Sequence, residues 1–282
     1  MRTSRRNFLR ISGAGVLASQ TPLIFANDIA GNKKLSGANL PFELGIASYT
    51  TREFSLEDTI AMTSQLEISN LCLKSMHLPL DLSTDEIKSE AAKVSSAGIN
   101  LYGGGVIYMK NKEEVDQAFA YAGTAGMKVI VGVPEHKLLD YCSDKVKETG
   151  INLAIHNHGP GDEKYPSPES AYELIKDLDP GMGLCMDIGH TVRIGEDPAK
   201  DAERFMDRLH DVHIKDVNKA DASGETCEIG RGVIDIASFL EVLLKKKYSK
   251  VVSFEYEKDG KNPLPGLAES VGYVRGVLDV IA

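Results

Sequence analysis

Short runs of apolar and β-branched residues alternate along the chain with longer segments whose apolar residues recur at helical spacing. The runs start 24 to 41 residues apart, enough for a strand, a crossover helix and two loops. The eight predicted strands are 43–48, 69–75, 99–105, 127–133, 151–156, 182–188, 209–214 and 250–256. Eight such units in about 240 residues predict an α/β fold, a single-domain (β/α)8 TIM barrel rather than an open doubly wound sheet.

Helix boundary signals agree with this pattern. Ser83 precedes Asp85 and Glu86, so a capping side chain is followed by acids in the first turn. Ser167 precedes Pro168, which places a proline at the first helical position. Both segments are therefore expected to begin helices that cross over between strands.

The first 26 residues have a different character from the rest of the chain. The segment SRRNFL at 4–9, followed by a weakly apolar stretch, resembles a twin-arginine export signal. That stretch is too short and too polar to anchor the protein as a transmembrane helix. The resemblance implies export by the twin-arginine route to the periplasm. Residues 27–41 are interpreted as a flexible tether, and residues 42–282 as the barrel.

Charge and composition narrow the class of partner. The chain has 32 basic and 41 acidic residues, a net charge of −9, which disfavours nucleic acid and anionic membranes. No later segment is apolar for long enough to insert stably in a bilayer. The four cysteines show no C-x-x-C spacing, so no zinc knuckle or redox pair is expected. A small neutral or polyol-like substrate fits this composition better than nucleic acid or a membrane does. Assembly into a homo-oligomer remains possible.

Most of the histidines lie near the end of a predicted strand or follow it, at the end of a TIM barrel where substrates bind. They are His77, His136, His156, His158, His190 and His213. Asp187 and Glu255 end two apolar strands at the same side. A divalent cation shared with imidazoles is one way to keep such carboxylates ionised. Asp187, His213 and Glu255 therefore suggest a site for Mn²⁺, Zn²⁺, Co²⁺ or Fe²⁺. The alternative is an ion-paired rim in which Lys215 and Arg231 are the cations.

Five motifs on the last four predicted strands and their loops carry a family resemblance. They are LAIHNH at 153–158, DIGH at 187–190, VHIKD at 212–216, GRGVID at 230–235 and FEYE at 254–257. In this order they resemble the xylose isomerase-like TIM barrel superfamily, within its sugar phosphate isomerase/epimerase group. The resemblance extends over residues 43–282.

The resemblance implies one divalent metal, preferably Mn²⁺, Zn²⁺ or Co²⁺, and a set of residues around it. The implied metal ligands are His156, Asp187, His213 and Glu255. The implied substrate-binding residues are His190, Lys215 and Arg231. The epimerases of this group end the fifth strand with a glutamate that is both ligand and proton-transfer base, whereas this chain has His156. The replacement of glutamate by His156 removes one of the two carboxylates that transfer protons in the epimerases. It therefore favours elimination or hydration as the reaction.

The expected chemistry is proton abstraction next to the carbonyl of a sugar or keto-sugar, with the enediolate stabilised by the metal. Returning the proton would make the enzyme an isomerase or epimerase. Expelling a leaving group would make it a metal-dependent lyase or hydratase of keto-sugars or 3-keto-glycosides. The candidate catalytic residues are Glu255, His156, His158 and Glu135. Glu135 follows the fourth strand, where a first-turn acid of the next helix is the alternative.

Two other classes of protein remain. A non-catalytic sugar-binding barrel would bind no metal and would show no chelator-sensitive turnover. A DNA-repair enzyme of the endonuclease IV type needs three metals and a DNA-binding face. This acidic chain has Lys215 and Asp216 where that class has a D-x-H element.

Export also makes phosphorylated sugars less suitable as substrates, since these are mainly cytoplasmic.

Overall fold

The structure is a computed structural model that describes residues 40–282. The predicted export signal, and all but the last two residues of the predicted tether, lie outside the described residues. The barrel has eight strands: β1 (Glu43–Ala47), β2 (Asn70–Leu73), β3 (Asn100–Met109), β4 (Val129–Pro134), β5 (Asn152–His156), β6 (Met182–Asp187), β7 (Leu209–Ile214) and β10 (Val251–Phe254). They are parallel and close in the order β1-β2-β3-β4-β5-β6-β7-β10, while the two short strands between β7 and β10 form a separate hairpin. The predicted TIM barrel is confirmed.

Helices follow the strands on the outside of the barrel. They are α1 (Leu56–Gln65), α2 (Thr84–Ser96), α3 (Lys112–Ala125), α4 (Leu139–Thr149), α5 (Pro168–Ile175), α6 (Ile188–Arg193), α7 (Pro198–Arg204), α8 (Ile236–Lys245) and α9 (Leu264–Ile281). Ser83 and Glu86 form a reciprocal capping box at α2, and the Ser167 hydroxyl caps α5 ahead of Pro168. Both predicted helix starts are confirmed.

The strands are buried on both faces, as their nearly continuous apolar sequences require. All six residues of β4 are buried, for example. β3 continues four residues beyond its predicted end, because its pairing with β4 resumes after a register shift between Gly105 and Ile107. Within residues 40–282, no helix is both long and apolar enough to cross a membrane.

A long connection follows β7 and includes a short antiparallel hairpin of β8 (Asp216–Val217) and β9 (Thr226–Cys227). The Asp216 carboxylate is fully buried and accepts hydrogen bonds from the backbone N–H groups of Gly230, Gly232 and Ile234 at 3.0–3.2 Å. This side chain therefore helps to hold the segment 228–234 against the carboxyl end of the barrel, together with the contacts of Glu228 with Lys258 and of the Ile229 N–H with Ser270.

Candidate metal centre

The ends of four strands bring two imidazoles and two carboxylates together. The side chains are His156 on β5, Asp187 on β6, His213 on β7 and Glu255 just after β10. One ligand atom from each lies within 4.8 Å of the other three. The parallel register explains part of this, because Asp187 and His213 are direct partners across β6 and β7. All four side chains are buried, so water does not screen their charges.

The Asp187 carboxylate is held in one orientation by the backbone that follows it. Its Oδ1 accepts the N–H of His190 at 2.8 Å and so caps α6, which leaves Oδ2 directed into the barrel mouth. Asn157 pairs with the backbone of Asp187: its Oδ1 accepts the Asp187 N–H at 2.9 Å. Its Nδ2 donates to the Asp187 carbonyl at 3.2 Å. The backbone of Asp187 and its Oδ1 are thereby held by neighbouring groups, which leaves Oδ2 facing the site.

Lys215 supplies the positive charge of the site. Its ammonium lies 2.8 Å from Asp187 Oδ2 and 2.7 Å from Glu255 Oε2, and it also contacts Glu257. The side chain reaches this position across Gly189, where a Cβ would lie only 2.5 Å from Lys215 Cγ. The Lys215 part of the ion-paired rim predicted from the sequence is therefore present. Two of the carboxylates that Lys215 pairs with, Asp187 and Glu255, are also candidate metal ligands.

Burial and charge act in opposite directions on the pKa values of these groups. Burial alone raises the pKa of Asp187 and Glu255, but nearby positive charge, including that of Lys215, brings both below their usual values. Burial lowers the pKa of Lys215, yet the surrounding carboxylates raise it overall. Burial lowers the pKa of His156 to about 3. For His213 the Glu255 carboxylate outweighs burial and the pKa rises.

The donor set and its spacing fit a divalent metal. Two ligands bound at about 2.0–2.2 Å to one tetrahedral metal lie roughly 3.4 Å apart. Here His156 Nε2 is 3.2 Å from His213 Nδ1 and 3.6 Å from Asp187 Oδ2. His213 Nδ1 is 3.2 Å from Glu255 Oε2. Two imidazole nitrogens that face each other at this distance suit a shared cation, and a mixed N/O set suits Mn²⁺, Zn²⁺ or Co²⁺.

Two further histidines line the same mouth. The ring of His158 lies 4.6 Å from that of His156 and 6.0 Å from that of His190, centroid to centroid. His158 Nε2 is 3.1 Å from the Tyr108 hydroxyl, and its side chain is 22% exposed. His190 Nε2 lies 3.9 Å from Asp187 Oδ2. Burial lowers the pKa of both imidazoles. Both predicted residues therefore lie where a bound substrate could reach them.

Two predicted residues are paired away from the four ligands. Glu135 forms an ion pair with Lys164 at 2.5 Å, and this contact lowers the pKa of Glu135. Arg231 forms a two-pronged ion pair with Glu269 on α9, and its side chain is 62% exposed. Their catalytic and substrate-binding roles stay predictions, since each would have to leave its partner to reach a substrate at the ligands.

The remaining histidines have structural partners. His77 is buried and bonded to Ser48 and Thr59. His136 Nε2 and His210 Nε2 lie 3.0 Å and 2.8 Å from backbone carbonyl oxygens, which they can satisfy as donors. Position at a strand end therefore does not by itself assign a histidine to the site.

Three residues near the site were not singled out from the sequence. Glu257 lies two positions after Glu255 and contacts Lys215, so spacing along the extended chain could have indicated it. Lys74 ends the apolar run of β2, and its ammonium lies 5.1 Å from the Tyr49 ring centroid. Burial lowers the pKa of Lys74. Asn157 gave no such signal, since its contacts with Asp187 depend on the packing of β5 against β6.

The fold and the site together define a (β/α)8 barrel with two imidazoles and two carboxylates at its carboxyl-terminal mouth that could hold a metal ion. A family model described as the xylose isomerase-like TIM barrel matches residues 110–277, and the chain belongs to this family.

Individual relatives agree with that assignment. The inosose dehydratase of Lacticaseibacillus casei is 26% identical over 161 residues, which are 50% of this chain and 53% of the relative. The chain thus matches about half the length of that curated relative. The solved structure of L-ribulose 3-epimerase superposes with a TM-score of 0.70 at 15% identity, covering 85% of this chain and 95% of the other. The IolI protein, solved with a bound zinc atom, gives 0.70 at 18% identity, covering 86% and 99%.

Proposed function

We propose that the protein is a divalent-metal-dependent enzyme that removes a proton from the carbon next to the carbonyl of a small sugar or keto-sugar. The isomerase or epimerase outcome is proposed first. The observation that carries the proposal is the convergence of His156, Asp187, His213 and Glu255 at the barrel mouth. Family membership and the fold shared with an epimerase support it.

The bound metal, proposed to be Zn²⁺, Mn²⁺ or Co²⁺, would polarise the substrate carbonyl and so acidify the neighbouring C–H. The side chains around the metal have separate proposed roles. Lys215 offsets the negative charge of Asp187 and Glu255 and keeps a hydrogen-bond donor in the mouth. Glu255 and His158 are the proposed proton-transfer groups: Glu255 is one of the four converging ligands, and the His158 ring lies 4.6 Å from the ring of His156. The Tyr108 hydroxyl can pass a proton between His158 and solvent.

A lyase or hydratase is the second candidate. The chain ends its fifth strand with His156 rather than a carboxylate, so one of the two bases expected for epimerisation is missing. The curated relative from Lacticaseibacillus casei is a dehydratase. Both features favour expulsion of a leaving group from the carbon beyond the one that loses its proton, for which a single base suffices.

The test is proton NMR of keto-sugars and 3-keto-glycosides in D₂O with metal-loaded protein. Deuterium at the carbon next to the carbonyl without net conversion would indicate enolisation, the step that isomerases and epimerases share. Loss of water or of an aglycone would indicate the lyase. Asp187→Asn is expected to abolish either signal, while the surface variant Asp207→Asn serves as the matched control. The absence of both exchange and turnover across metals and substrates would refute the proposal.

Export to the periplasm by the twin-arginine route is also proposed, on the resemblance of residues 4–9 alone. It would place the enzyme where unphosphorylated sugars are available. Replacing both arginines of that motif by lysine and following the protein in cell fractions would test it. Unchanged periplasmic accumulation would contradict the proposed route.

A further inference from the structure

A polar layer lies inside the barrel, one step below the candidate metal ligands. Its centre is Asp211, which precedes His213 by two residues on β7, so both side chains point into the barrel. The Asp211 carboxylate is fully buried. The Tyr102 hydroxyl donates to it, with 3.2 Å to each oxygen, and the N–H of Val212 donates to Oδ1 at 3.0 Å. Ser253 bonds the same Tyr102 hydroxyl.

The charge of Asp211 has no ordinary counter-ion. Within residues 40–282, no lysine or arginine lies within ion-pair distance of its carboxylate. The nearest ring nitrogen is His213 Nε2, at 3.9 Å from Oδ2. An isolated carboxylate in an apolar barrel is costly, and neutral donors such as Tyr102 offset that cost only in part. The placement therefore points to a partner that gains positive character, and His213 is the group in reach.

The two ring nitrogens of His213 face different surroundings. Nδ1 points to the mouth, 3.2 Å from both His156 Nε2 and Glu255 Oε2. Nε2 points down the barrel, is buried, and has no hydrogen-bond partner among the described residues. Among residues 40–282, the charged group within ion-pair distance of Nε2 is an anion, Asp211, which favours a proton on that nitrogen. A proton on Nε2 leaves the lone pair of Nδ1 directed at the metal site.

We propose that Asp211 is a positioning residue for the metal ligand His213. Its carboxylate attracts Nε2–H, fixes which nitrogen of the ring is protonated, and increases the electron density that Nδ1 offers to a cation. Histidine ligands commonly donate their second N–H to such a group, and losing it weakens metal binding by about 10- to 100-fold. This inference rests on the proposed metal site but not on the identity of the substrate.

The test compares Asp211→Asn with Tyr102→Phe in the full chain. Asp211→Asn keeps the shape of the side chain and removes its charge. Tyr102→Phe removes the phenol that donates to the same carboxylate but leaves the charge beside His213. Zinc affinity is measured by competition with a chromophoric chelator. The Asn variant is expected to bind zinc about 10- to 100-fold more weakly than wild type, and the Phe variant to bind as wild type does.

A second measurement is made on the wild-type protein, and His213→Gln is needed only to assign the signal. Nitrogen-15 NMR of zinc-loaded wild-type protein is expected to show the proton of His213 on Nε2, as a downfield resonance protected from exchange. His213→Gln assigns the signal, and Asp211→Asn is expected to move it upfield. A proton on Nδ1 in the wild type would overturn the inference even if neither variant could be purified.

The outcomes separate this inference from the proposal on which it rests. If wild-type protein binds no zinc, the metal site itself fails. If wild type binds zinc and Asp211→Asn binds it equally well, the positioning role is overturned and the metal site stands. If Tyr102→Phe weakens binding as much as Asp211→Asn, the polar layer acts through packing rather than through the carboxylate, which also overturns the inference.

Discussion

Replacing Lys215 by methionine tests the electrostatics of the site most sharply. The change keeps an unbranched side chain of similar length and removes the ammonium that lies 2.8 Å from Asp187 and 2.7 Å from Glu255. Removing one partner of a buried ion pair leaves an uncompensated charge and costs about 3–5 kcal/mol. Two fully or largely buried carboxylates lose their cation here, so the free energy of unfolding of the metal-free protein should fall by about that amount.

The assay is thermal unfolding in the presence of EDTA. For a domain of this size about 1 kcal/mol corresponds to roughly 2–4 °C, so the midpoint of Lys215→Met should fall by roughly 6–20 °C. Lys93→Met is the matched control. That lysine also lies 2.8 Å from two carboxylates, Glu57 and Glu90, but on the surface, where the loss should stay below about 1 kcal/mol.

Metal should reverse the effect. A ligand at 100 times its dissociation constant stabilises the folded state by about 2.7 kcal/mol. Without the ammonium of Lys215, Asp187 and Glu255 attract a cation more strongly, so zinc should raise the unfolding midpoint more in Lys215→Met than in wild type. A metal-free Lys215→Met protein that unfolds at the temperature of the Lys93→Met control would refute this account of the site.

Three further predictions concern the surroundings of the site. Burial, together with Asp201, raises the pKa of Glu196 to about 7, whereas an unfolded chain has a value of about 4.3. Protonation of Glu196 therefore stabilises the folded state, and this contribution to the free energy of unfolding is lost as pH rises through 7. Glu196→Gln should therefore gain in unfolding midpoint relative to wild type between pH 5 and 8.5, and parallel pH profiles would contradict this. Asp216→Ala removes the acceptor of three backbone N–H groups of the segment 228–234, so limited proteolysis should cut within that segment faster than in wild type. Equal rates would show that other contacts hold the segment. Arg231→Ala should change the free energy of unfolding by less than about 1 kcal/mol, because the ion pair of Arg231 with Glu269 is exposed. If Arg231 binds substrate, the same variant should have a higher KM, and an unchanged KM would remove Arg231 from the substrate-binding residues.

The parts of the molecule that could be predicted follow from short-range patterns. Apolar runs at regular spacing predict the barrel, since a parallel strand needs a crossover of nearly fixed length before the next. Asp187 and Glu255 stand out because each ends such a run. The barrel places all carboxyl ends of its strands at one mouth, which accounts for the convergence of His156 and His213 with them.

The parts that could not be predicted depend on contacts between distant residues. Arg231 pairs with Glu269, 38 residues further along, and nothing near Arg231 in sequence signals that partner. The position of Glu135 is likewise set by Lys164 on the loop after β5. Asp211 is one of many acids in the sequence, and although it lies two residues before His213, only the closure of the barrel brings the Tyr102 hydroxyl to it.

The arrangement of the four side chains at the barrel mouth implies that together they hold one divalent cation. Anomalous diffraction at the zinc edge, from crystals grown with zinc, tests it directly. The account predicts one strong peak about 2.0–2.2 Å from the four ligand atoms. These atoms are His156 Nε2, Asp187 Oδ2, His213 Nδ1 and Glu255 Oε2. A mouth without a peak at full zinc loading, or a peak bound elsewhere with these side chains still paired to Lys215, would contradict it.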